Sequence, residues 1–302
     1  MWTYDLSGWP QKQREAYKEL LETAAEKAMT MGVSVGAAAA EVCERCLVGS
    51  HVEKKAVMEK MMVDLDPARP WQIFLSGNMN SNVNIKPPVI KAVRAMVEGG
   101  SPKGEALRPK LYVHSPYLIN LAATPGGSGS GAEDFHVTCL KKCLDASREM
   151  GFRGVVVHVG KSVKLGAAEA LENMRWAITQ VLPHASETCP LLLETPAGQG
   201  TEMLTDLEEF VGFVSGFADQ RIRICVDTCH VFATGYDPLE YIKYVHEVDA
   251  DLLRLVHFND SETACGACVD RHAAMGMGQI GLEKMTAIAE WCFAEGVPAL
   301  IE

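Results

Sequence analysis

Arg221-Ile222-Arg223-Ile224-Cys225-Val226, followed at once by Asp227-Thr228-Cys229-His230, is the stretch on which the reading of this chain turns. Apolar residues alternate through the first six positions, the period of a strand. The run ends at Asp227, where strand gives way to turn, and His230 follows three residues later. A carboxylate and an imidazole at such a point project into the mouth of an α/β barrel. On its own a D-x-x-H pair is an ordinary hydrogen-bonded pair. It gains weight from recurrence, because most other strand-like runs in the chain also end in His, Asp or Glu.

Upstream, residues 46–52 read as a buried first strand and Trp71-Gln72-Ile73-Phe74-Leu75 as a second. Residues 110–113 lead to His114, residues 154–157 to His158, and Leu191-Leu192-Leu193 to Glu194. Downstream, residues 252–256 lead to His257 and Ala299-Leu300-Ile301 to Glu302. Helical periodicity falls between these runs, near 54–64, 87–98, up to 150, 165–182, 201–217, 238–247 and 281–294. Gly99 to Pro109 and Gly126 to Gly131 are loop compositions. Strands alternating with helices specify a parallel sheet covered on both faces. Eight repeats point to a closed (β/α)8 TIM barrel. An open doubly wound sheet is the alternative, but no Gly-x-Gly-x-x-Gly follows the first strand.

Two segments are expected: an N-terminal helical extension over 1–45, packing on the barrel, and the barrel itself over 46–302. Residues 11–30 are amphipathic, with Tyr17, Leu20, Leu21, Ala24, Ala25, Ala28 and Met29 on one stripe. No helix follows the eighth strand, so this N-terminal helix is expected to take its place.

The chain has 302 residues, 48% of them hydrophobic, which suits one large α/β domain. No apolar run approaches the ~20 residues of a membrane helix. Met1-Trp2-Thr3-Tyr4-Asp5 is not a basic leader followed by an apolar block. The expectation is therefore an intracellular protein, in cytoplasm, nucleus or a virion, with its ten cysteines reduced. A net charge of -11 opposes broad basic-patch binding of nucleic acid. Bound divalent cations could reverse that sign locally.

Six strand ends carry His114, His158, Glu194, Asp227 with His230, His257 and Glu302, and the next loop adds Asp270-Arg271-His272. Nine such groups on one rim would leave large desolvation costs without metal. Four carboxylates contribute about -4, which three divalent ions at about +6 more than balance. Imidazole and carboxylate ligands without cysteine suit Zn²⁺, with Mn²⁺ or Fe²⁺ as alternatives.

Five stretches together resemble the endonuclease IV family of abasic-site DNA repair enzymes. They are His114-Ser115-Pro116-Tyr117-Leu118-Ile119-Asn120, residues 194–201 from Glu194 to Thr201, Asp227-Thr228-Cys229-His230 with Gly235-Tyr236-Asp237, His257-Phe258-Asn259-Asp260-Ser261, and Asp270-Arg271-His272 with Gly276 and Gly278. The order holds from Leu47 to Glu302. The insert Thr263-Ala264-Cys265-Gly266-Ala267-Cys268 resembles viral members more than bacterial ones.

The resemblance implies a barrel with three zinc ions. His114, His158 and Glu194 would hold the first. Glu194 would bridge to a second held by Asp227, His257 and Glu302. His230, Asp270 and His272 would hold the third. It implies a double-stranded DNA substrate with abasic sites or blocked 3′ ends, and hydrolysis of the phosphodiester 5′ to the abasic site that leaves a 3′-hydroxyl and a 5′-deoxyribose phosphate. Zinc lowers the pKa of bound water to roughly 7, which fits that chemistry at neutral pH. Glu194 is the expected catalytic residue. Tyr117, Leu118, Asn259 and Arg271 are the expected substrate-binding residues. The family's loop after strand two carries an Arg that enters the base stack. Here that loop is Asn78-Met79-Asn80-Ser81-Asn82, a departure that bears on DNA grip rather than on the chemistry.

His51 reads as a group behind the ligands, and Thr228 and Asn259 as residues that orient ligands. Lys161 and Lys164 read as solvated, as do His136, His184 and His246. Cys43-x-x-Cys46 and Cys265-x-x-Cys268 each have half-zinc-site spacing and could be joined only across strand eight. A sugar isomerase or epimerase of the xylose-isomerase type is the alternative enzyme. It would use one or two metals and leave His230, Asp270 and His272 superfluous. An inert relative would have lost ligands, and none of the nine is missing.

Overall fold

A computed structural model describes residues 35–52, 65–98, 110–126 and 134–302. The helices expected at 11–30 and 54–64, and the loop at 99–109, lie outside the described residues. Helix α1 (Val35–Arg45) precedes β1 (Gly49–Val52), then come β2 (Trp71–Phe74), α2 (Pro87–Glu98), β3 (Leu111–His114), α3 (Phe135–Met150), β4 (Val155–His158), α4 (Ala167–Val181) and β5 (Leu191–Glu194). They are followed by α5 (Leu207–Ser215), β6 (Ile222–Asp227), α6 (Thr228–Ala233), α7 (Pro238–Val248), β7 (Leu253–His257), a ribbon of β8 (Asp260–Ser261) with β9 (His272–Ala273), α8 (Gly281–Glu295) and β10 (Ala299–Ile301).

Eight of these strands close into a parallel barrel in the order β1-β10-β7-β6-β5-β4-β3-β2. The barrel expected from the strand–helix alternation is therefore present. Its interior is a small apolar layer of Tyr112, Val156, Leu192, Cys225, Leu255 and Leu300, one from each of six strands. A larger core lies between barrel and helices. Side chains alternate faces along a strand, so the residue two places further on points inward again. Two places after those six stand His114, His158, Glu194, Asp227, His257 and Glu302. The pleat that fills the barrel with apolar side chains thus lays a polar layer on top of them.

The pairing of β6 with β7 steps from Ile224↔Leu253 to Cys225↔Leu255, leaving Arg254 as an extra residue. This bulge brings Asp227 level with His257. Gly49 is fixed by a close approach: a Cβ there would lie 1.7 Å from the Pro70 carbonyl oxygen.

Three local expectations are revised. The first strand begins at Gly49 rather than residue 46, because Leu47 has a left-handed backbone (φ 54) that breaks an extended run. The helix expected from 201 starts at Leu207, where Asp206 accepts the N–H groups of Glu208 and Glu209 as an N-cap. The two Cys-x-x-Cys pairs do not join. All ten cysteines are free. Cys43 is buried with Sγ 3.3 Å from Met275 Sδ, whereas Cys265 and Cys268 are exposed on the loop beyond β8. Helix α1 packs against α8, with Arg45 Nη1 2.8 Å from Glu290 Oε1.

Candidate metal centre

The D-x-x-H pair is a helix start. Asp227 is the N-cap of α6, and its Oδ1 accepts the His230 N–H at 2.9 Å. That spacing leaves Asp227 Oδ2 free to face the mouth, where it accepts from Asn259 Nδ2 at 2.7 Å. Thr195 ties β5 to both residues: its Oγ1 accepts the Asp227 N–H, and its carbonyl lies 2.8 Å from His230 Nδ1.

Glu194 lies at the middle of the mouth, 1% exposed. Its Oε2 is 3.1 Å from both His114 Nε2 and His158 Nε2. Its Oε1 is 2.9 Å from His257 Nδ1. His257 Nδ1 is also 3.0 Å from Glu302 Oε2 and 3.9 Å from Asp227 Oδ2. Beyond Asp227, Asp270 stands 3.3 Å from His230 Nε2 and 3.2 Å from His272 Nε2.

The nine rim residues fall into three groups whose donor atoms lie within 4.8 Å of one another: His114, His158 and Glu194; Glu194, Asp227, His257 and Glu302; and His230, Asp270 and His272. Cys229 is near Asp227 and His272, but burial pushes its thiol up to about 12, and Sγ donates to the Arg271 carbonyl at 3.5 Å.

Imidazole orientation fits a cation in each group. His114 Nδ1 faces the Ser115 carbonyl at 2.7 Å, His230 Nδ1 that of Thr195, and His257 Nε2 the Gln72 amide oxygen at 3.0 Å. In each ring one nitrogen is anchored and the other is turned to carboxylates, the arrangement of ligating histidines. His272 Nε2 is buried without a hydrogen-bond partner of good geometry. Burial alone would raise Glu194 and Glu302, but the imidazoles around them hold both well below the usual carboxylate range. The donor set and its crowding suit divalent cations.

Asn259 and Thr228, read from the sequence as residues that orient ligands, are bonded to rim groups. Asn259 is 2% exposed, with Nδ2 on Asp227 and Oδ1 accepting the Glu302 N–H at 3.0 Å. Its amide is committed inside the protein, so it holds two rim carboxylates in place rather than meeting solvent. Thr228 Oγ1 meets the carbonyls of His257 and Asn259 at 3.2 and 2.6 Å. His136, His184 and His246 are half-buried and engaged. His136 Nδ1 accepts the Asn120 N–H, His184 Nδ1 lies 2.8 Å from Asp145, and His246 meets the Trp291 ring edge-on. Lys161 pairs with Glu202 at 3.3 Å, and Lys164 is exposed.

Tyr117 and Leu118 stand half-open on the rim, 44% and 37% exposed. The Tyr117 ring packs against His114 and His158, at 5.1 and 5.3 Å between centroids. Its N–H donates to the Asn78 carbonyl, joining the loops after β2 and β3. Arg271 is exposed, with Nη1 on the Asp270 carbonyl.

Asp260 is fully buried, and among the described residues its carboxylate is met by backbone rather than by a side-chain cation. Its two oxygens accept N–H groups from Ser261, Gly276, Gly278, Ile280 and Gly281. A Cβ at Gly278 would lie 2.3 Å from the Ser261 carbonyl oxygen, so only glycine lets the loop close this far. The clasp anchors the ribbon that carries Asp270 and His272. Asp260→Asn places an NH₂ against N–H donors and is expected to cost about 2–3 kcal/mol. A urea midpoint unchanged from wild type would show that the loop is held by other contacts.

Fold and rim together define the class: an eight-stranded α/β barrel with a His/carboxylate mouth. A family model described as a xylose isomerase-like TIM barrel matches residues 94–290. A probable endonuclease 4 of Symbiobacterium thermophilum is 36% identical over 195 residues, 63% of this chain and 69% of that protein. A putative endonuclease 4 of Acanthamoeba polyphaga mimivirus is 34% identical over 196 residues, 60% of this chain and 62% of that one. The chain thus spans about two thirds of the length of these relatives. The crystal structure of endonuclease IV from Thermus thermophilus is similar with a TM-score of 0.67 at 26% identity, covering 84% of this chain and 91% of that one. A D-tagatose 3-epimerase-like protein, 18% identical with a TM-score of 0.63, is a likeness of fold alone. The chain belongs to the endonuclease IV family of xylose isomerase-like TIM barrels. Among the described residues no helix is long and apolar enough to cross a membrane.

Proposed function

We propose that this chain is a DNA repair endonuclease, acting in base excision repair as a monomer on double-stranded DNA. It hydrolyses the phosphodiester 5′ to an abasic site and leaves a 3′-hydroxyl and a 5′-deoxyribose phosphate. One observation carries this reading: the barrel mouth holds three cation-ready groups, with Glu194 common to two of them. Membership in the endonuclease IV family supports it.

Zn²⁺ would be held by His114, His158 and Glu194, by Glu194, Asp227, His257 and Glu302, and by His230, Asp270 and His272; Mn²⁺ or Fe²⁺ suits the same donors. When bound there, the metal supplies Lewis-acid polarisation of phosphoryl oxygens and acidifies water to near neutral pH. The protein does the positioning. Glu194 ties two groups together, and Asn259 fixes the angle of Asp227 and Glu302. Thr195, Gln72 and Ser115 direct the histidines. Tyr117 and Leu118 offer an apolar edge to a nucleotide turned out of the duplex, which costs least where the base is missing. Arg271 offers the free edge of its guanidinium to phosphate. Divalent cations held by these residues would reverse the sign of an acidic protein where the DNA backbone enters.

A duplex carrying one tetrahydrofuran abasic analogue tests this directly, since the analogue cannot undergo β-elimination. Cleavage on its 5′ side, giving a 3′-hydroxyl that a polymerase extends, is the expected result. Intact substrate, or ends that no polymerase can extend, would refute it. The sugar isomerase reading shares the barrel but has no use for the His230, Asp270, His272 group. Three bound metals per chain favour the nuclease, and one or two favour the isomerase.

A further inference from the structure

Gln72 is a fully buried amide on β2, in the interior of the barrel. Its Oε1 lies 3.0 Å from His257 Nε2. Its Nε2 lies 2.7 Å from Glu302 Oε1 and 3.0 Å from His51 Nδ1. An amide oxygen only accepts, and an amide nitrogen only donates. Reversing the amide would press its oxygen onto the Glu302 carboxylate and leave the amide nitrogen facing the His257 ring, so one orientation satisfies all three neighbours. We infer that Gln72 is a positioning residue that sets which ring nitrogen carries the proton in both His257 and His51. The inference rests on the metal-centre reading above and adds to it a residue that no rim motif contains.

The proton positions follow in sequence. His257 donates Nε2–H to Gln72, which leaves Nδ1 as the lone pair. Nδ1 is the atom facing Glu194 and Glu302, so the ring is presented to a cation by that nitrogen. His51 Nδ1 accepts from Gln72, so its proton sits on Nε2. His51 Nδ1 also lies 3.4 Å from Glu302 Oε1, but Gln72 reaches that oxygen at 2.7 Å and is the better donor to it. His51 Nε2 is buried with no hydrogen-bond partner among the described residues. Among the described residues it is left as an uncommitted N–H.

Two substitutions separate these roles. Gln72→Glu keeps the acceptor for His257 but removes the donor to both His51 and Glu302; two carboxylates then face each other beside His51 Nδ1 and draw its proton to that nitrogen. Gln72→Leu removes both. Long-range ¹H–¹⁵N spectra of the full chain with labelled histidine report ring protonation. Zinc-loaded wild type is expected to show His51 and His257 both protonated on Nε2 alone. In Gln72→Glu the His51 proton moves to Nδ1 while His257 keeps its form. Gln72→Leu is expected to lower the affinity for one zinc ion by about 10- to 100-fold, measured by competition with a chromophoric chelator. Two results would overturn the inference: an Nδ1-protonated His51 in wild type, or unchanged zinc affinity in folded Gln72→Leu. Wild-type protein that takes up no zinc would defeat the metal-centre reading instead, and the His51 spectrum, which needs no zinc, would still decide this one.

Discussion

Glu194→Gln is expected to lower the rate of incision by at least about 1,000-fold, or about 4 kcal/mol of barrier, with the fold retained. The side chains have nearly the same volume, so the packing beneath, around Leu192, need not change. The chemistry at the mouth does change. Glu194 Oε2 receives His114 and His158 at 3.1 Å each, and Oε1 receives His257 at 2.9 Å. An amide replaces one of these oxygens with an NH₂ that can accept from none of them and ligate nothing. The negative charge common to two groups disappears. Incision of the tetrahydrofuran duplex, together with the far-ultraviolet spectrum and melting temperature, measures both halves. Turnover within tenfold of wild type would remove Glu194 from the reaction.

Stripping the metal is expected to abolish incision and to make stability fall with rising pH. The cause lies in the histidines. Burial alone would lower His230, His257 and His272. Their neighbours reverse this: Asp227 and Asp270 for His230, the Cys225 sulfur with Glu302 and Glu194 for His257, and Asp270 with Asp227 for His272. All three are raised above the ordinary 6.5. Their stabilising charge is fully present below pH 6.5 and is lost as pH climbs through the raised values. Asp270 behaves oppositely. Burial would raise it, but the His230 and His272 imidazoles, 3.3 and 3.2 Å away, hold it far below 3.8. Its contribution is present above about pH 4 and is lost only on strong acidification. Bound zinc needs the imidazoles neutral, so the loaded protein does not share the alkaline loss and binds more tightly as pH rises. The gap in melting temperature between loaded and chelated protein should therefore widen from about pH 6 to about pH 9. A constant gap would show that these histidines are not the groups zinc displaces protons from.

The barrel and rim were legible because strand period and chemistry coincide. His114 follows Tyr112 by two, Glu194 follows Leu192, and Glu302 follows Leu300, so an inward ligand can be read from an inward apolar residue. Residues held by non-local hydrogen bonds were not legible in this way. Gln72 stands in Trp71-Gln72-Ile73-Phe74 as one polar residue in an apolar strand. Its signal was that oddity, and its partners are 185 and 230 residues away. Asp260 reads as a turn residue until the five N–H groups around it are known. Asn259 read both as a substrate contact and as a residue that orients ligands, because family motifs mark residues without saying which way they face. The Asp227–His230 spacing read as a turn because a six-residue helix is too short to show a period.

The surplus residue in β7 has a consequence for how this chain can vary. Arg254 opposes no residue of its own on β6, and everything after it is displaced by one place. Deleting Arg254 would leave Leu253 opposite Ile224 and Leu255 opposite Cys225 as an even ladder, and would keep His257 level with Asp227. An extra residue between Leu255 and His257, by contrast, would turn the imidazole from the lumen toward the surrounding helices, because neighbouring strand positions face opposite ways, and would remove a whole ligand while leaving composition and hydropathy almost untouched. Strand length between Leu255 and His257 is thus a heritable specification of the mouth's chemistry, and insertions should be far rarer there than in the loop of residues 263–268.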